Sequence, residues 1–108
     1  MAITRSGQRR FTKGFSSQAQ LADHYQRHGA DFSATDENDY ESKADSFLGG
    51  PKGSKIREFI RSVSGDKLRY NVSTHAFGVL RKDGVIKTYY KVKVREPLKY
   101  FKRKCLEP

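Results

Sequence analysis

The chain has 108 residues, with 22 Lys/Arg against 12 Asp/Glu, a net charge of +10 and a pI near 9.9. That length supports one hydrophobic core and not two. No run approaches the roughly 18 apolar residues that span a bilayer, and no charged-then-apolar signal segment opens the chain. The single cysteine, Cys105, excludes an internal disulfide framework and a thiolate zinc cluster.

The charge is unevenly spread. Residues 55–108 carry 15 Lys/Arg and 5 Asp/Glu, whereas residues 1–54 carry 7 of each. Clustered cations of this kind are the footprint of a polyanion binder, with RNA the first candidate. An anionic membrane fits less well, because no basic amphipathic helix is evident.

Residues 1–15 lack periodicity and are rich in Gly and basic residues, so they read as a flexible basic arm or linker remnant, with a single domain over 16–108. Ser17 and Gln20 form a capping box that opens a helix, Leu21, Tyr25 and His28 form its face, and Gly29 stops it. Thr35 announces a second helix with Asp36 and Glu37 in its first turn and an apolar stripe of Tyr40, Ala44, Phe47 and Leu48. It ends at Gly49-Gly50-Pro51. The spacing of Ile56, Phe59, Ile60 and Val63 suits either helix or strand.

From Lys67 the pattern alternates. Leu68, Tyr70 and Val72 are followed by the apolar run Ala76–Leu80, an Asp83-Gly84 hairpin turn, and Ile86, Thr88, Tyr90 and Val92. This predicts an antiparallel meander with one face toward a core and one toward solvent. Pro97 ends it, and Lys99–Lys104 reads as a basic tail. Helices followed by strands make the fold class α+β, with two N-terminal helices packed on a small antiparallel sheet of about four strands.

His24 and His28 stand four apart on one helix, but residue 25 is Tyr where HEXXH needs Glu, so no metal site is expected. What remains suits metal-free phosphodiester cleavage. RNA carries its own nucleophile, and an enzyme need only remove the 2′-proton, protonate the leaving oxygen and steady the extra charge on phosphorus. His28, at the last turn of its helix, is expected to have a raised pKa from the helix dipole. Arg69 lies on the strand face opposite Leu68 and Tyr70, where it suits a phosphate or plain solvent. Thr74 and His75 fall in a turn. Thr88 shares a face with Ile86 and Val92, so it is either a phosphate contact or core. Tyr89 lies between Lys87 and Lys91, a pattern that suits base stacking. Lys87, Lys91, Lys93 and Arg27 are candidate backbone-gripping cations.

The stretch His24-Tyr25-Gln26-Arg27-His28-Gly29-Ala30-Asp31-Phe32, followed by Tyr40 and Ala44, resembles the opening of many bacterial toxin domains. Arg69-Tyr70-Asn71-Val72-Ser73-Thr74, Phe77-Gly78-Val79, Asp83-Gly84 and Ile86-Lys87-Thr88-Tyr89-Tyr90 resemble their sheet. These domains belong to the barnase–EndoU–colicin–RelE superfamily of metal-independent ribonucleases. Within it the chain is most similar to C-terminal toxin domains of contact-dependent inhibition and other polymorphic toxin systems, near the tRNA-cutting colicins. The resemblance implies that Ile56–Val63 is a strand, and that the activity is an endoribonuclease, commonly directed at tRNA. It also implies a cognate immunity protein and delivery as part of a larger bacterial protein into a target-cell cytoplasm. The family histidine maps onto His28, the sheet arginine onto Arg69 and hydroxyl positions onto Thr74 and Thr88, with His24 or His75 as a second proton-transfer group. Asn71 stands where an Asp is expected, which removes a possible carboxylate. No cofactor is implied. The alternative reading is a non-catalytic RNA- or DNA-binding module of the same shape.

Overall fold

The computed structural model describes residues 11–108. Helix α1 spans Gln18–His28, a 3-10 turn follows over Gly29–Phe32, and α2 spans Glu37–Gly49. Strands β1 (Ile56–Ile60), β2 (Lys67–Asn71), β3 (Ala76–Leu80) and β4 (Ile86–Lys91) come next, and helix α3 (Pro97–Leu106) closes the chain. The four strands form one antiparallel meander in sequence order. The α+β architecture read from the sequence is therefore the observed one, and residues 56–60 are strand.

The caps explain the helix boundaries. The Ser17 side chain accepts from the Gln20 N–H at 3.1 Å and starts α1. Asp36, one residue beyond Thr35, caps α2 by accepting from the Asp39 N–H at 2.7 Å. Gly29 does end α1, but in right-handed conformation, because the chain continues into the 3-10 turn. Glycine is needed there for space: a Cβ would lie 2.5 Å from Cδ1 of Tyr25. The left-handed residue is Ser33.

Two hydrophobic layers lie on the two faces of the sheet. On one, Tyr40, Ala44 and Leu48 of α2 and Leu21 of α1 pack with Phe15 on Ala76, Leu80, Ile86 and Tyr89. On the other, Leu68, Tyr70, Phe77, Val79 and Val92 pack under Phe101 of α3. The expectation of one solvent-facing sheet surface is thus corrected. Pro97 does not terminate structure; it occupies the first turn of α3, where its missing N–H costs nothing. Tyr100, Phe101 and Cys105 carry the apolar stripe that turns the supposed basic tail inward.

A register shift lies between Val79 and Leu80, where Leu80 pairs with Ile86 but Val79 pairs with Thr88. Lys87 is the extra residue, and the bulge reverses the alternation beyond it. Ile86 and Tyr89 therefore share the α2 face, while Thr88, Tyr90 and Val92 turn toward α3.

Residues 1–10 lie outside the described residues, and with them most of the segment expected to be an arm. Residues 11–15 are packed. Asp45, fully buried on α2, accepts from the Phe11 and Thr12 N–H groups at 2.8 Å each and from the Thr12 hydroxyl. Glu41, also fully buried, accepts from the Phe15 N–H at 3.1 Å. Phe15 then bridges Ile86 in parallel, which covers the first half of the β4 edge. Asp45→Ala leaves three donors without their acceptor and is expected to cost about 2–4 kcal/mol of unfolding free energy in urea titrations. A loss below about 1 kcal/mol would show that the segment is not held by this carboxylate.

Candidate active site

Strand β4 is an outer strand of the sheet, and the chain gathers its polar chemistry along that edge. The segment 13–15 pairs with the start of β4, through Lys13 N–H to the Gly84 carbonyl and Ile86 N–H to that of Gly14. Helix α1 then runs along the rest of that edge. His24 stacks near Phe15, with ring centroids 5.0 Å apart, and His28 meets Tyr90 at 5.3 Å and 34°. Tyr90 packs its other side on Phe77 at 5.3 Å, and its hydroxyl hydrogen-bonds that of Tyr100 on α3.

Thr88, two residues before Tyr90 on the same face, lies in a cleft of about 270 Å³ with Arg61, Lys87, Tyr90, Lys104 and Glu107, whose carboxylate pairs with Lys104 at 3.2 Å. Lys104 and Arg103 stand over the Tyr100 ring at 5.4 and 5.7 Å. Arg61 is buried and committed to structure: Nε and Nη2 donate to the Lys104 carbonyl at 3.1 and 2.9 Å, and Nη1 lies 3.3 Å from Asp66. The arrangement is one imidazole, a pair of phenols and a threonine hydroxyl, rimmed by lysines and an arginine. Such a set can accept and return protons beside a phosphate whose charge the rim offsets.

The electrostatics reverse one expectation. The pKa of His28 is lowered, first by burial and then by the Arg27 charge, against weaker opposing pulls from Asp31 and Asp23. The anticipated dipole effect is missing because His28 is not at a free helix end. The 3-10 turn continues past it, and the Gly29 carbonyl is taken by the Ala34 N–H. His24 is also lowered, chiefly by burial. It is 92% shielded, and its Nδ1 has no hydrogen-bond partner among the described residues. Burial raises the Tyr90 hydroxyl, and the bond to Tyr100 adds to the shift, so this phenol stays protonated at neutral pH.

Other residues singled out from the sequence lie elsewhere. Arg69 is buried on the α2 side of the sheet, the side opposite Thr88. Its Nε bonds Glu58 at 2.7 Å, and Nη1 donates to the Phe47 and Gly50 carbonyls at 3.1 and 2.8 Å. Its guanidinium joins β1, β2 and the end of α2. Thr74 is exposed in the β2–β3 turn and accepts from the Ala76 N–H at 3.3 Å. His75 occupies the left-handed region at φ 65° in that turn, its ring 6.2 Å from that of Tyr70. Tyr89 is buried and stacked on Phe32 at 4.0 Å and 12°, so it offers no free face to a base. The bulge at Lys87 is the reason.

The candidate cations divide similarly. Lys87 is exposed with Nζ 3.4 Å from Asp66, and Lys93 pairs with Asp31 at 2.6 Å. Lys91 lies over the Phe32 ring on the α2 side, and Arg27 pairs with Asp23 along α1. The structure therefore brings His28, Thr88 and Lys87 to Tyr90, with Lys93 close enough to act on His28, and leaves out Arg69, Thr74, His75 and Tyr89. Sequence reasoning assigned the lysines of 87–104, Lys104 among them, to the RNA backbone but gave Tyr100 and Arg103 no role. Their signal was a proline followed at helical spacing by aromatic residues. Among the described residues, no group of three or more His, Cys, Asp or Glu side chains is placed to hold a metal ion.

With this geometry in view, the chain can be compared with known proteins. No protein-family model and no curated protein matches it. Among solved structures it is similar to a ribonuclease from Escherichia coli complexed with its inhibitor protein. The TM-score is 0.57 at 16% identity, over 79% of this chain and 96% of the other. The two chains share a fold. The helices on an antiparallel sheet thus belong to an architecture that a ribonuclease also uses.

Both lowered histidines bear on stability. Their folded pKa values lie below the unfolded value of 6.5, so the folded state binds fewer protons. The resulting contribution is complete above 6.5 and is lost as pH falls through the lowered values. Stability in urea should therefore decline as pH falls below about 6.5, and His24→Leu should flatten the decline. An unchanged slope in that variant would contradict the burial argument.

Proposed function

We propose that the chain is a metal-independent endoribonuclease domain whose active site is the β4 edge around His28 and Tyr90. The observation that carries this reading is the contact between the His28 ring and Tyr90, at 5.3 Å, beside a rim of cations. The fold shared with an E. coli ribonuclease supports it.

In this mechanism the neutral His28 imidazole takes the proton from a ribose 2′-hydroxyl. Its lowered pKa keeps the base form populated at neutral pH. The 2′-oxygen attacks phosphorus, the bond to the 5′-oxygen breaks, and the products are a 2′,3′-cyclic phosphate and a 5′-hydroxyl. Tyr90, held protonated, donates to the leaving 5′-oxygen, and Tyr100 relays a proton back to it. Arg103 offsets the charge that grows on the phosphoryl oxygens, and Lys87, Lys104 and Lys93 join it as phosphate displaces Asp66, Glu107 and Asp31. Thr88 donates a hydrogen bond from the cleft floor. Arg69 has a structural duty in this account, since all its bonds are internal.

Three finer parts of the reading rest on the sequence resemblance to toxin domains. The substrate is tRNA. The natural partner is a cognate immunity protein, a pairing that the inhibitor bound to the E. coli ribonuclease supports by analogy. The domain acts in a target-cell cytoplasm after delivery as the C-terminal part of a larger bacterial protein.

Incubation with total tRNA in EDTA tests the reading. Wild type should give discrete fragments ending in cyclic phosphate, and His28→Ala should bind tRNA equally but cut at least about 100-fold more slowly. Cleavage by His28→Ala at the wild-type rate would remove His28 from the mechanism. A wild-type gel shift with no fragments would return the chain to a binding module.

A further inference from the structure

The other outer strand presents a surface of different character. Five of the seven exposed large hydrophobic side chains among the described residues lie on β1, on the turn beyond it, or on α3. Phe59, Leu98 and Leu106 line a groove of about 580 Å³ between β1 and α3, floored by Phe101 and Cys105 and flanked by Arg57, Lys102 and Glu58, whose carboxylate is neutralised by Arg69 at 2.7 Å. Ile60, 53% exposed, lies on the other face of the same edge strand, and Val63, 81% exposed, in the turn beyond it. Exposed apolar side chains beside a sheet edge mark interaction sites.

The hydrogen-bond phase of β1 sharpens the point. Val72 N–H donates to the Lys55 carbonyl and Arg61 N–H to the Asp66 carbonyl, so residues 55, 57, 59 and 61 direct their backbone groups at β2. By alternation, the N–H and carbonyl of Glu58 and Ile60 point outward, where no strand pairs with them among the described residues. Every residue from Arg57 to Ile60 is exposed.

We propose that this edge is a docking site for an acidic protein segment that adds a fifth strand beside β1. Added strands gain main-chain hydrogen bonds from the edge and specificity from side-chain pockets, here the apolar groove. Charge selects the occupant. A second copy of a +10 chain is repelled, whereas a segment with carboxylates meets Arg57 and Lys102. RNA has no use for outward backbone amides flanking an apolar groove. Because β1 and β4 are opposite edges of the sheet, the segment binds without covering His28. The inference stands whatever the chemistry at β4.

The test uses isotopically labelled protein and a synthetic peptide of about ten residues, rich in valine at its centre and carrying glutamates at both ends. The controls are its lysine counterpart and an acidic copy methylated on alternate backbone nitrogens. The acidic peptide should bind and slow amide exchange at Glu58 and Ile60. Backbone methylation, or Ile60→Pro in the protein, should weaken binding about tenfold, the worth of roughly one edge hydrogen bond. Ile60→Pro removes an outward N–H and leaves the β1–β2 ladder intact. Absence of binding, equal binding of the lysine peptide, or displacement by polyuridine RNA would overturn the proposal. So would protection of Glu58 and Ile60 by concentrated protein alone, which would mean a second copy.

Discussion

The site depends on a single inserted residue. Lys87 bulges out of the β3–β4 ladder, and every side chain beyond it changes face. Without the bulge, Tyr90 would point into the layer under α2 and Tyr89 toward α3. With it, Tyr89 fills the first core against Phe32, and its carbonyl accepts the Tyr40 hydroxyl from α2. Tyr90 is then free to stand between His28 and Tyr100. One irregularity therefore joins the last turn of α1 to the middle of α3 across the edge of the sheet. Bulges at sheet edges commonly re-aim side chains in this way.

Buried charge does the remaining positioning. Asp45 and Glu41 hold residues 11–15 on α2, and that segment covers the start of β4, so α1 can return along the rest of the edge. Arg69 and Arg61 act at the far strands: the first ties β1 and β2 to the end of α2, the second ties the β1–β2 turn to the carboxy-terminal end of α3. Each is satisfied by several internal partners, as buried ions must be. The exposed lysines and arginines are left as the field that draws a polyanion.

Much of this architecture was legible in the residues. The Ser17–Gln20 box, the α2 stripe of Tyr40, Ala44 and Leu48, and the Asp83-Gly84 turn each carry local physics that tertiary contacts did not override. Helix α3 was hidden because Lys99, Lys102, Arg103 and Lys104 dominate its composition, although Pro97 suits a helix start as well as a stop. The site was less legible. Strict two-residue alternation assigned Tyr89 to solvent and Tyr90 to the same face as Ile86, and no pattern in the sequence marks where a bulge falls. The helix-end argument for His28 failed for a related reason: the backbone beyond Gly29 kept turning. Arg69, on the strand face opposite Leu68 and Tyr70, was expected in solvent or at phosphate, and the resemblance favoured phosphate. Nothing local shows that Glu58 and two α2 carbonyls enclose it.

The nuclease account comes down to a ribose-phosphate linkage lying against the His28 ring at the β4 edge. Titration of the three histidine ring resonances by NMR, free and with an RNA strand blocked by 2′-deoxy substitution at the cut position, tests that directly. The account predicts that His28 titrates below its ordinary range in the free protein and moves upward when the phosphate arrives. An unmoved His28 with RNA bound would contradict it.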